Sequence, residues 1–156
     1  MKFTTNYENR TYQEQEGDFI ATIESYEFRT RTKLVQVGKQ SREVEFQDIN
    51  ITWRLENNSR KWDTIFQNLD DEGFATYDVS RINRISNALE IEEGIEFTVQ
   101  EWLDYIVGKK AVILVRKKTW NERDFYNIVA FRSIKKHLEE QAEQSQSVVN
   151  DEDLPF

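Results

Sequence analysis

The sequence predicts a mainly β chain with a helical insert, and three observations carry that reading. From Gly17 the residues Phe19, Ala21 and Ile23 alternate with Asp18, Ile20 and Thr22, the period of a half-buried strand. After Asp70-Asp71-Glu72-Gly73 the period lengthens, and Ile82, Ile85 and Leu89 fall on one helical face. Later, Ala111-Val112-Ile113-Leu114-Val115 is a continuous apolar run of strand length, as a central strand requires.

Each element follows from local chemistry. The first sixteen residues are polar with scattered Phe3, Tyr7 and Tyr12, and read as a leader strand or arm. The first strand starts at Gly17 and continues through Tyr26 and Phe28. A basic, flexible loop is expected from Arg29 to Arg42, around Gly38. The second strand is Val44 to Leu55; its apolar parity changes between Phe46 and Ile49, which predicts a β-bulge near Gln47-Asp48. Asn57-Asn58-Ser59 is a turn signal, and Lys61 to Leu69 reads as a third strand. Asp78 or Ser80 caps the first helix. Thr98 caps a second, Val99 to Val107, with Glu101 completing a capping box and Gly108 at the C′ position. After the apolar strand, Arg116 to Arg123 reads as a basic turn carrying Trp120, and Phe125 to Arg132 as the last strand. From Lys135 the chain is rich in Glu, Gln and Ser and is expected to be disordered apart from a helical stub. Three strands, helices, then two strands is the element order of a five-stranded OB-fold barrel with helices between strands 3 and 4.

Charge divides the chain in two. The net charge is −8, but residues 137–156 hold six acids and no Lys or Arg. That leaves 23 acids against 21 bases over residues 1–136, a net of −2. The expected organisation is therefore one domain, 1–136, with a flexible acidic tail, 137–156. Cysteine is absent, which removes disulfides, thiolate zinc sites and Cys nucleophiles together. No apolar run reaches membrane-spanning length and the polar start is unlike a signal peptide, so a soluble intracellular protein is expected, with no membrane partner.

The tail ends Asp151-Glu152-Asp153-Leu154-Pro155-Phe156: three carboxylates, then an apolar ending that contains the chain's one proline. A charged, stiff hexapeptide of this kind suits an apolar pocket with a basic rim on another protein. It resembles, at every position, the ending of bacterial and bacteriophage single-stranded DNA-binding proteins. Without a glycine-rich linker, the body is more similar to the phage branch. The resemblance implies an OB-fold coating single-stranded DNA in the cytoplasm of a bacterial host. It also implies that residues 151–156 recruit replication, recombination or repair proteins.

The binding residues are read from the loops and from one sheet face. Non-specific single-strand binding needs cations to track phosphates and aromatic faces on which bases stack. The first loop supplies Arg29, Arg31, Lys33, Lys39 and Arg42; the second supplies Arg116, Lys117, Lys118 and Arg123 around Trp120. Arg54, with Asn50 and Thr52, points away from the core face, and Arg60 and Lys61 extend that cationic face. Trp62 is either a groove platform or part of a second core layer, whereas Trp53 and Trp102 lie in phase with core positions. Tyr26 and Tyr126 are weaker stacking candidates near the loops. For catalysis there is no phosphate loop, no His-Glu metal motif and no nucleophile elbow, so neither an enzyme nor a cofactor or metal is expected. His137, the one histidine, reads as solvated, as do the acids Asp70, Asp71, Glu72, Glu90, Glu92, Glu93 and Glu96. The rival to DNA binding is an adaptor or inhibitor that fills a host enzyme's tail-binding pocket without touching DNA. The sequence leaves oligomeric state open, a homo-oligomer included.

Overall fold

A computed structural model describes residues 1–3 and 15–152, with side chains as far as Gln144 apart from that of Val37. The leader segment falls mostly outside these residues, as do residues 153–156 of the tail. In chain order the elements are β1 (Gly17–Val37), β2 (Gln40–Leu55), β3 (Arg60–Ile65), β4 (Gln67–Leu69), β5 (Ala75–Tyr77), α1 (Val79–Ala88), α2 (Val99–Ile106), β6 (Lys110–Trp120), β7 (Arg123–Arg132) and α3 (Ile134–Glu152). Strands β3-β2-β1-β6-β7 form one antiparallel five-stranded sheet that is not closed by hydrogen bonds, and β4-β5 form a separate hairpin.

One face of the large sheet carries the core. Ala21 and Ile23 of β1, Ile49, Ile51 and Trp53 of β2, Ile65 of β3, and Ala111, Ile113 and Val115 of β6 are buried together. Ile85 of α1 and Trp102, Leu103 and Ile106 of α2 pack into the same cluster. The helix starts are those the sequence predicts. Asp78 accepts a bond from the Arg81 N–H at 3.2 Å, and Thr98 accepts one from the Glu101 N–H at 3.1 Å. Gly108 follows α2 at φ 88°, a conformation open to Gly without strain.

Several expectations need correction. The segment expected as a flexible basic loop, Arg29 to Arg42, is strand: β1 and β2 pair without interruption from Ser25↔Thr52 to Val37↔Gln40, around the two-residue turn Gly38-Lys39. Likewise Arg116 to Trp120 belongs to β6, and the turn is only Asn121-Glu122. Neither ribbon has a buried face near its tip, and apolar residues there, such as Leu34, Trp120 and Phe125, are exposed, so they lack the alternation by which strands are recognised. The bulge lies in β1, between Ile23 and Ser25, not at Gln47-Asp48. The parity change in β2 has another cause: Phe46, Asp48 and Asn50 are buried on the outer face while Ile49, Ile51 and Trp53 are buried on the inner one. The third strand breaks at Phe66, where the chain leaves the sheet and β4 pairs with β5.

A further correction concerns residues 135–152, which belong to α3 and not to irregular chain. Ser133 Oγ accepts from the Lys136 N–H at 3.1 Å, a local N-terminal cap that was legible in the sequence. Arg132 holds the helix by pairing with Glu140 at 3.0 Å. His137 is buried, not solvated, and its Nε2 lies 3.1 Å from Gln141 Nε2. Asp151 and Glu152 continue the helical backbone. Among the described residues no helix is long and apolar enough to cross a membrane.

Candidate nucleic-acid interface

Directly paired residues of an antiparallel sheet point to the same side, so the register defines the outer face. Across β1, β2 and β3 it sets Ser25, Thr52 and Trp62 in one row and Glu27, Asn50 and Thr64 in the next; Arg54 lies beside Arg60. Trp62 is 59% exposed on this face, so it is not part of a second core layer: its ring is presented outward. Trp53 and Trp102 are buried, as their phase predicts, and the Trp102 Nε1–H donates to Ser86 Oγ at 2.9 Å. Asn50 is buried beneath the outer face. Its Oδ1 accepts from Thr64 Oγ1 at 3.2 Å, and its Nδ2 has no partner among the described residues.

Lys61 departs from the expected cationic face. Strand alternation turns it to the side opposite Arg60, opposite Trp53 in the register, and its Nζ lies 5.9 Å from the Tyr126 ring centroid. Tyr26 is also occupied, donating from its hydroxyl to Asp104 Oδ1 at 2.6 Å.

The expected cations separate into two groups. Six are matched to carboxylates: Arg29 to Glu27, Arg31 to Asp48, Arg54 and Arg60 to Glu24, Arg116 to Asp18, and Lys117 to Asp124. Arg31 is the most committed. Its Nε donates to Asp48 at 2.7 Å, its Nη2 donates to the Gln67 carbonyl at 2.8 Å, and its guanidinium lies 4.7 Å from the Phe46 ring centroid. It fastens the point where β3 gives way to β4. The Arg31 hydrogen bonds, helped by the Gln67 N–H, hold the Asp48 carboxyl below its ordinary value against the opposing effect of burial. Glu24, the residue of the β1 bulge, is lowered chiefly by its hydrogen bond from Arg60.

The second group lies toward the hairpin tips. Lys33, Lys39 and Arg42 of the β1-β2 hairpin are exposed, as are Lys118 and Arg123 of the β6-β7 hairpin, and none makes an ion pair among the described residues. Trp120 is 65% exposed and pairs in register with Arg123 across the Asn121-Glu122 turn. Beside it on the ribbon, Phe125 pairs with Lys118 and is 43% exposed. The sequence reading passed over Phe125 as a strand start. It also missed Phe66, 51% exposed, whose position after β3 turns it out of the core. Exposed aromatic rings alternating with free cations suit an unpaired polynucleotide. Of the residues expected to bind a partner protein, Asp151 and Glu152 end α3, while Asp153, Leu154, Pro155 and Phe156 lie outside the described residues. Among the described residues no cluster of His, Cys, Asp or Glu could hold a metal.

No curated protein matches the sequence. One family model does, over residues 1–146, and its description is "Protein of unknown function (DUF669)". The match spans all of the sheet, both inserted helices and most of α3, so the chain belongs to the DUF669 family.

Proposed function

We propose that the protein is a single-stranded DNA-binding protein of the phage type. In this reading an OB-fold coats exposed strands, and Asp151–Phe156 recruits replication, recombination or repair enzymes. The carrying observation is the unpaired cations on two ribbons, together with outward-facing Trp62 and Trp120. The order β3-β2-β1-β6-β7, with α1 and α2 inserted before β6, supports the barrel assignment. So does the approach of the two sheet edges: Trp53 of β2 stacks on Phe131 of β7 at 5.6 Å, and Lys61 of β3 faces Tyr126 of β7.

The mechanism is electrostatic tracking with base stacking. Lys33, Lys39, Arg42, Lys118 and Arg123 are available to phosphates without first breaking an ion pair. Four phosphate contacts would give a slope of about −2.8 in log affinity against log salt, at roughly −0.7 per contact for single strands. The test is a fluorescence-quenching titration with oligo-dT at low and high salt. Strong, salt-sensitive quenching is expected, and Trp120→Ala should lose about 1–3 kcal/mol of binding while leaving the melting temperature nearly unchanged. Absence of binding at low salt would favour the adaptor or inhibitor reading, which the net charge of −8 suits. Unaltered affinity in Trp120→Ala would remove that ring from the interface.

A further inference from the structure

A groove of about 810 Å³ lies between α1, the 90–98 segment and the start of α2, and none of its residues belongs to the hairpins or the sheet's outer face. About half of its lining is apolar: Val79 and Ile82 on α1, Ile91, Ile95 and Phe97 on the connecting segment, Val99 on α2. Val79 is 62% and Ile95 49% exposed, so the groove presents apolar surface that the fold leaves uncovered. At its floor the Trp102–Ser86 hydrogen bond joins the two helices, and Ser86 also donates to the Ile82 carbonyl at 2.7 Å. These bonds tie α1 to α2 beneath the groove.

Its charge is one-sided. Glu92 and Glu93 line it, and Glu90 and Glu96 flank them in sequence; no Lys or Arg is among the lining residues. None of the four makes an ion pair among the described residues. We infer that this groove is a second protein-docking site, whose occupant is an amphipathic helix with apolar residues on one face and Lys or Arg at its flanks. The apolar part of the lining takes the apolar face, and the unpaired carboxylates select cationic flanks over acidic ones. An occupant helix of about three turns would match the ~15 Å length of α1. An acidic segment such as 151–156 is excluded by the same charges.

The test is fluorescence anisotropy of the whole protein with a labelled peptide of about fourteen residues, Leu and Lys set at helical spacing, against its Leu and Glu counterpart. The Lys peptide is expected to bind and the Glu peptide not to. Ile95→Asp should weaken binding at least about tenfold. That direction is decisive, because an added acid would strengthen any merely electrostatic attraction. The double variant Glu92→Gln/Glu93→Gln should weaken binding about threefold at low salt. Oligo-dT affinity should not change in either variant, which separates this site from the proposed DNA interface. Should Ile95→Asp misfold, Ile95→Ser and Val79→Ser carry the same expectation, since both positions are already half exposed. No binding, equal binding of both peptides, or binding unchanged by the substitutions would overturn the inference. So would a dimer seen by sedimentation and lost in Ile95→Asp, which would give the groove to a second copy of the chain.

Discussion

Asp48 has a side chain only 7% exposed and is satisfied on two sides, by Arg31 and by the Gln67 N–H. Its carboxyl is held below the ordinary value, so the folded state binds its proton less readily than the unfolded chain does. The sign follows: this stability is complete above the unfolded value, near pH 3.9, and is lost as pH falls through the lower folded one. Asp48→Asn should therefore destabilise by about 2 kcal/mol at neutral pH, since it leaves a half-buried guanidinium unpaired. The gap to the unmodified protein should narrow at acid pH, as pH falls through the lowered folded value and Asp48 itself takes up a proton. Urea unfolding at neutral and at acid pH checks both halves. This residue was not legible beforehand, because its partner lies seventeen positions away and no local pattern links them. Trp53 and Trp102 were legible, because phase with neighbouring apolar residues is local information.

At the scale of elements, the caps and the breaks were readable and the hairpins were not. Asp78, Thr98 and Gly108 act within one turn of their own backbone, so residue type alone places them. The two ribbons show no buried face near their tips, and a strand without a buried face looks like a loop in sequence. The sequence shows where the basic residues cluster, yet type says nothing of pairing: Arg60 meets Glu24 and Arg116 meets Asp18 only once the sheet forms. The distinction is measurable. Alanine at Lys39, Arg42, Lys118 or Arg123 should each reduce the salt slope of oligo-dT binding by about 0.7 wherever that cation meets a phosphate. Arg116→Ala should leave the slope nearly unaltered, because its charge is already matched by Asp18. Equal slopes for paired and unpaired positions would show that the ion pairs open on binding.

Over the whole molecule, the excess acid is carried by the segment beyond the sheet, and the body is close to neutral. If that segment recruits partners, its acids also compete weakly with DNA for the cations of the hairpins. Deleting residues 151–156 should then leave oligo-dT affinity equal or slightly raised, and should abolish co-purification of the replication or repair partner. A loss of DNA affinity on deletion would place the segment in the interface itself. The sheet has its own consequence at this scale. Strands β3 and β7 are its two ends and share no backbone ladder. What spans the gap is side chains: Trp53 on Phe131, Lys61 on Tyr126, and Arg81, which is paired with Asp63 of β3 and sits over the Phe131 ring of β7. Parting the sheet between any two paired strands breaks rows of amide hydrogen bonds, whereas parting β3 from β7 breaks side-chain contacts and no backbone ladder. The molecule thus carries a built-in seam, held by side chains where the rest of the sheet is held by its backbone.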